Sequence, residues 1–325
     1  MSNKNYSKLY SLELLRFLAA NLVVSYHYLG FQKNIIGVDI FFVISGFVMM
    51  YATENNTRIF FLRRLIRIIP LYWLMTVLFV TILFFFPNLF LQSYFDLIFL
   101  FKSLMFIPFE NNGVGPGFGH SPYLFIGWTL NYEIFFYLLF QISILISKNS
   151  RGSVCILIIL LNYYIVNYLN LDNFILLTYT HPIVFEFCFG IFIYFIWKLF
   201  NDTSNSNRNN LIFSSILILM ILFVNLSYNI KNLLPVIIVA CFLMLKNRFL
   251  KYNFILILGN ISYAIYLTHP YIKRVLDKTT HFGEINNMAI SYISCIIVSY
   301  ILYVYYEKKI IFFLNKKSKE FFIQK

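Results

Sequence analysis

The chain has 325 residues, of which 60% are hydrophobic and only 12% are charged. Soluble domains carry about 25% charged residues, so this composition excludes a water-soluble globular core and points to a polytopic membrane protein. The net charge of +13 does not mark a nucleic-acid partner. The basic residues sit in short loops between apolar stretches, as the charge bias across a membrane requires.

Apolar segments of spanning length fall at 11–29, 35–52, 68–86, 123–147, 153–170, 180–197, 211–228, 232–245, 254–272 and 288–306. Segment 93–108 is apolar but carries Asp96 and Lys102 and ends at Pro108. If it does not cross and the N-terminus is cytoplasmic, most lysines and arginines lie inside, among them Arg58, Lys148, Arg151 and Lys246. If it crossed, the basic segments after it would lie outside, against the positive-inside rule. The expected fold is therefore all-α and multi-pass in the inner (cytoplasmic) membrane. It has about ten transmembrane helices plus one re-entrant or surface helix, and both termini are cytoplasmic. Residues 1–310 are expected to form one membrane domain and 311–325 a short basic cytoplasmic tail, with no cleavable signal and no appended soluble domain. No fixed-period repeat supports an inverted-repeat transporter. Cys155, Cys188, Cys241 and Cys295 lie scattered within apolar segments and read as small hydrophobes, not as a metal or disulfide set.

The polar groups inside these spans carry the chemistry, because ionisable side chains at membrane depth are costly. Arg16 and His27 lie in the first span with ten residues between them. Eleven helical steps of roughly 100° end about 20° past three turns, so the two share a face about 16 Å apart. Arg16 reads either as a functional cation or as a snorkelling residue paired with Glu13, one turn before it. His27 is a candidate base, or an interfacial histidine bound to a loop. Asp39 opens the second span near the same surface. A carboxylate meeting His27 would fix its tautomer and raise its basicity.

Phe61–Trp73 (FLRRLIRIIPLYW) sets Arg63, Arg64 and Arg67 before Pro70. Arg64 and Arg67 are one turn apart and suit a shared polyanion such as a phosphorylated cytoplasmic cosubstrate. The same cluster also suits a topology anchor on anionic lipid. Glu133 in WTLNYEIFFY lies about 15 Å into its span, and Glu186 in FEFCFG raises the same question. Each is a structural partner for a buried arginine or a site carboxylate. His120, in the loop Gly113–Ser121, and His181 read as loop histidines. His269, in GNISYAIYLTHP, falls toward the same surface as His27. Glu307, beside Lys308 and Lys309, reads as a solvated interfacial charge. Buried Arg, His and Glu also mark translocation paths, which keeps a transporter or flippase of a polar lipid or glycan precursor as the alternative.

Six segments in order resemble the acyltransferase-3 family of integral membrane O-acyltransferases: LRFLAANLVVSYH, GVDIFFVISGFVM, FLRRLIRIIPLYW, WTLNYEIFFY, FEFCFG and GNISYAIYLTH. Together they run from about residue 11 to residue 307. The resemblance implies an acyl group, commonly acetyl, moved from acyl-CoA to a hydroxyl. Acceptors in the family are sugars of lipopolysaccharide, capsule, exopolysaccharide or peptidoglycan, or small molecules. It further implies essential roles for His27 and Arg16, support from Arg64 and Arg67, and Glu133 in the site region. Acyl-CoA enters as a cosubstrate, with no resident cofactor or metal expected. The expected partners are acyl-CoA, a glycan or glycolipid acceptor and the bilayer. The family's Lys-Pro after Glu307 is Lys308-Lys309 here, so the last span is expected to end differently.

Overall fold

The computed structural model describes residues 9–30, 36–86, 88, 95–109, 122–201, 233–245, 252–280 and 283–323. The expected span 211–228, His120 and the loop Gly113–Ser121 lie outside them. Among the described residues all regular structure is helical. In chain order the helices are α1 (Tyr10–Leu29), α2 (Ile36–Ala52), α3 (Phe60–Phe85), α4 (Leu97–Leu104), α5 (Trp128–Ile146), α6 (Arg151–Tyr168), α7 (Phe174–Thr178) and α8 (Phe185–Asn201). They continue with α9 (Leu234–Met244), α10 (Asn253–Thr279), α11 (Glu284–Leu302) and α12 (Lys308–Ile323). A π-helical turn, Tyr303–Glu307, joins the last two.

Six of the described helical segments are long and apolar enough to cross a membrane. The chain is thus a multi-pass helical membrane protein. Segment 93–108 contains only the 8-residue α4, about 12 Å long and far short of a roughly 30 Å hydrocarbon core. Its Asp96 caps the helix by accepting from the Phe99 amide at 2.9 Å. The expected span 232–245 contains an 11-residue helix, about 16 Å long, so the described part of it does not reach across on its own. Helix α1 has the length of a span but is not among the six, because Glu13, Arg16, Asn21 and His27 dilute its apolar run. Leucines 18, 22 and 29 take its exposed side.

Lipid offers no hydrophobic drive between helices, so close packing and internal hydrogen bonds must hold the bundle. Helices α2 and α8 make its tightest crossing. A Cβ on Gly46 would collide with the Phe187 carbonyl and the Gly190 backbone, and one on Gly190 with the Val43 carbonyl. Only paired glycines let these two backbones approach so closely. Phe42, Phe136 and Phe187 stack across the α2, α5 and α8 contact. Arg151, buried at the start of α6, reaches the end of α2, donating to Thr53 Oγ1 at 2.7 Å and to the Met50 carbonyl at 3.2 Å. Apolar side chains on the outside, such as Leu145, Leu157, Ile165 and Ile293, form a surface that suits lipid.

Helices α1 and α10 pack side by side and run parallel. Glu13 lies against Gly259, and one end further on the Tyr28 hydroxyl donates to the His269 carbonyl at 2.9 Å. Both helices α3 and α10 carry an internal proline, Pro70 and Pro270. Proline removes a helical N–H, and membrane helices tolerate this where neighbours compensate. Around Pro70 the Tyr263 and Tyr306 hydroxyls donate to the carbonyls of Ile68 and Pro70 at 3.0 and 3.2 Å. Pro70 therefore sits inside α3 and does not bound it, which carries Arg63, Arg64 and Arg67 on the helix itself.

Candidate functional site

Helix α3 begins at Phe60, so Arg63, Arg64 and Arg67 are its fourth, fifth and eighth residues and lie along its first two turns or so. Cations at the positive end of a helix dipole are unfavourable for the helix alone, whereas an anion there meets both the arginines and that positive end. The three arginines do not stand equally. Arg16 of α1 joins Arg64 and Arg67 on the wall of a cavity of about 100 Å³. These same three, together with Arg63, Glu13, Asn260, Asn315 and Lys319, line a wider vestibule of about 580 Å³. Arginines 16, 64 and 67 thus stand at the neck between the two spaces. Arg63 faces the vestibule only.

Inside the cavity Glu133 of α5 faces this cluster. Its Oε1 accepts from the Ser45 hydroxyl at 3.2 Å and from the Tyr137 hydroxyl. The Arg64 guanidinium stacks over the Phe60 and Tyr137 rings, 5.7 and 5.9 Å from their centres. These contacts hold a planar cation without using up its donors. Arg16 Nη1 sits 3.4 Å from Glu13 Oε1, so the expected i,i+3 pair forms. Arg16 still lines both spaces, and the pairing does not exclude a site role. Val38, Phe41, Phe42, Ile68 and Leu130 supply the apolar wall.

The far wall is Tyr266, whose hydroxyl lies 2.8 Å from Thr129 Oγ1 and donates to the Ile126 carbonyl at 3.0 Å. One turn beyond it stands His269, fully buried, with its ring centre 5.2 Å from that of His27. His27 also meets the edges of Tyr26 and Phe125, at 5.1 and 5.7 Å. The arginine cluster and the histidine pair therefore occupy the two ends of one face of α1, as the spacing of Arg16 and His27 requires.

Two sequence expectations are corrected. Asp39 does not meet His27: among the described residues no hydrogen bond or ion pair joins them. Gly37 packs against Ala19 and Val23, so α2 starts one to two turns along α1 from His27. Asp39 lies about 200° further round α2 from Gly37, on the side away from α1. Glu307 is not a solvated charge. It is 1% exposed, and its Oε1 lies 3.5 Å from Arg67 Nη1. The wide turn of Tyr303–Glu307 shifts the helix phase and directs this carboxylate into the bundle. The helix then runs on through Lys308 and Lys309, where a proline would have stopped it.

Glu186, 2% exposed in the first turn of α8, lies apart from the cavity wall. His181 is exposed at a helix start and accepts from the Ile183 amide at 3.3 Å, as its loop position predicts. Sequence reasoning did not single out Ser45, Thr129, Tyr137, Ser262, Tyr263 or Tyr266 as cavity residues. The three-residue steps Tyr263, Tyr266, His269 put a polar stripe on one face of an apolar helix, and that periodicity was the available signal.

The helical membrane bundle thus gathers three partly exposed arginines and the Glu133 carboxylate on one cavity, with a histidine pair beyond its far wall. The sequence profile described as acyltransferase domain (acyltransferase-3) matches residues 9–304, and the chain belongs to this family. It is 36% identical over 166 residues to the exopolysaccharide production protein ExoZ of Rhizobium meliloti (strain 1021), covering 50% of each chain. It is 34% identical over 157 residues to the peptidoglycan O-acetyltransferase OatA of Listeria monocytogenes serovar 1/2a, covering 43% of this chain and 25% of that one. The matches thus span half or less of these curated relatives. No solved structure matches.

Proposed function

We propose that the chain is a membrane O-acyltransferase that moves a short acyl group, most simply acetyl, from acyl-CoA to a hydroxyl of a cell-surface glycan or glycolipid. The observation that carries this reading is the neck formed by Arg16, Arg64 and Arg67 between a wide basic vestibule and a small cavity. A donor with a polyphosphate end and a short thioester arm matches both spaces. The phosphates lie among the arginines and Lys319, where charge-assisted hydrogen bonds are strongest. The arm passes the neck toward Glu133 and Tyr266. The vestibule opens to the cytoplasm, where acyl-CoA is made, and the histidine end faces outward. The relative OatA is named as an O-acetyltransferase of peptidoglycan, which favours an acceptor displayed outside.

His27 acts as general base. It takes the proton of the acceptor hydroxyl as the oxygen attacks the thioester carbon. The C–S bond breaks, the CoA thiolate recovers the proton, and an O-acyl ester remains on the acceptor. Arg16 holds the donor at the neck, and Glu133 with Ser45 and Tyr137 keeps the cavity polar beside it.

The test is purified protein in proteoliposomes with radiolabelled acyl-CoAs of increasing chain length and a glycolipid extract of the native host. Alkali-labile label on the glycan, greatest with acetyl-CoA and falling for long chains, is the expected result. Glycolipid that crosses the bilayer without gaining an ester would replace this reading with a transporter.

A further inference from the structure

His269 is held in an unusual way. Its Nδ1 lies 2.8 Å from the Tyr266 carbonyl and 3.2 Å from that of Ile265. Carbonyl oxygens only accept, so Nδ1 carries the proton and Nε2 a lone pair. Pro270 explains the geometry. In an uninterrupted helix the Tyr266 carbonyl would take the N–H of residue 270, but proline has none. The vacated carbonyl is filled by the His269 ring. The tautomer is thus set by the chain itself, through the step His269-Pro270. Nε2 is buried and has no hydrogen-bond partner among the described residues. An unmade hydrogen bond of this kind in a low-dielectric interior is costly, and the ring nearest to it across the helix interface is that of His27. Two imidazoles that share an N–H···N bond of about 2.9 Å have centres roughly 5 Å apart. The observed separation is 5.2 Å with a 38° tilt, so a rotation of the His27 ring completes the bond.

We propose that His269 is the positioning residue for His27: its Nε2 accepts the His27 ring N–H and leaves the other His27 nitrogen as the free base toward the acceptor hydroxyl. This is the place that a carboxylate would fill in a soluble site, and Asp39 does not fill it here. A neutral acceptor orients the base without adding a buried charge at this depth. During transfer the acceptor proton goes to the free nitrogen of His27, the His27 N–H bond to His269 persists, and the new proton leaves with the CoA thiolate. The inference rests on the general-base role of His27.

The test uses the full chain in nanodiscs, with His269→Ala, His269→Gln, Pro270→Ala and His27→Ala beside wild type. Transfer from acetyl-CoA and the ¹⁵N resonances of labelled histidines are both read. His269→Ala is expected to lower kcat roughly 10- to 100-fold, the range found when a group that orients a functional histidine is removed, with KM for acetyl-CoA unchanged. His269→Gln, whose Oε1 accepts the same N–H, recovers most of that loss. Pro270→Ala returns an N–H to the Tyr266 carbonyl and shifts the His269 resonances toward a mixture of tautomers. Wild-type kcat in His269→Ala, or equal loss in Ala and Gln with unchanged His27 resonances, overturns the proposal. If His27→Ala itself retains transfer, the general-base reading fails first. If His27→Ala is inactive and His269→Ala is not, only the positioning role fails.

Discussion

His27→Ala abolishes acyl transfer, with a loss of about 10²- to 10⁴-fold, and leaves the bundle folded. The size follows from what the side chain does. A positioned base contributes that much, and no other described imidazole on α1 can replace it. Stability is expected to hold because the contacts of His27 among the described residues are ring contacts, with Tyr26, Phe125 and His269, and the proposed bond to His269 is a single neutral one. It is neither an ion-pair partner nor a knob in the tight α2 and α8 crossing. His27→Gln, which keeps hydrogen bonding but takes up no proton at neutral pH, is expected to be as inactive as the alanine variant. Label transfer in detergent-free proteoliposomes, with size-exclusion profiles as the folding control, checks both. An alanine variant with more than a tenth of wild-type kcat would remove proton transfer by His27 from the mechanism.

Arg67→Ala carries the second large effect, and it is of a different kind. Its partner Glu307 is almost wholly buried and lies 3.5 Å away. Removing Arg67 leaves the buried Glu307 charge uncompensated and costs stability, by less than the roughly 3–5 kcal/mol of a fully buried pair because Arg67 is 29% exposed, whereas removing both costs little. Arg67→Ala is therefore expected to express poorly or melt at clearly lower temperature. Adding Glu307→Gln restores folding, because the orphaned carboxylate is gone. Donor use does not return with it: the double variant still lacks a cation at the neck, and its KM for acetyl-CoA stays raised. Arg64→Ala separates the two roles from the other side. Arg64 contacts the Phe60 and Tyr137 rings, so its loss weakens donor binding with less effect on stability. Thermal melts and KM values for the four proteins check the pattern. A double variant that recovers both stability and KM would mean that Arg67 serves the fold alone.

Much of this arrangement is legible in the sequence, and what is not has physical causes. The helical class, the short α4 and the common face of Arg16 and His27 follow from composition and from 3.6-residue periodicity. The pairing of Arg64 with Arg67 follows in the same way. Contacts between helices do not follow, because they depend on which residues face each other at a crossing. The expectation for Asp39 assumed that two spans joined by a short turn meet at their ends. Gly37 instead seats α2 lower on α1 and turns Asp39 away. Glu307 reads as solvated because it stands beside two lysines at the end of an apolar run. A single π turn, invisible to a 3.6-residue count, carries it inward. The expected span began at residue 68, but α3 starts at Phe60 and passes through Pro70, where hydroxyls from Tyr263 and Tyr306 support the surrounding backbone. His269-Pro270 is the opposite case. Both residues are plain in the sequence, but only the geometry shows that the proline frees the carbonyl that orients the histidine.

In the proposed reaction the acyl group passes from an arginine-lined donor site on one side of the membrane to a hydroxyl activated by His27 on the other. The most direct measurement uses proteoliposomes sorted for orientation, with radiolabelled acetyl-CoA supplied only on the Arg64 side and a membrane-impermeant glycosidase added only on the His27 side. The glycosidase is expected to release labelled, alkali-labile glycan while free CoA thiol accumulates on the donor side. Label that forms only when donor and acceptor are supplied on the same side would contradict it.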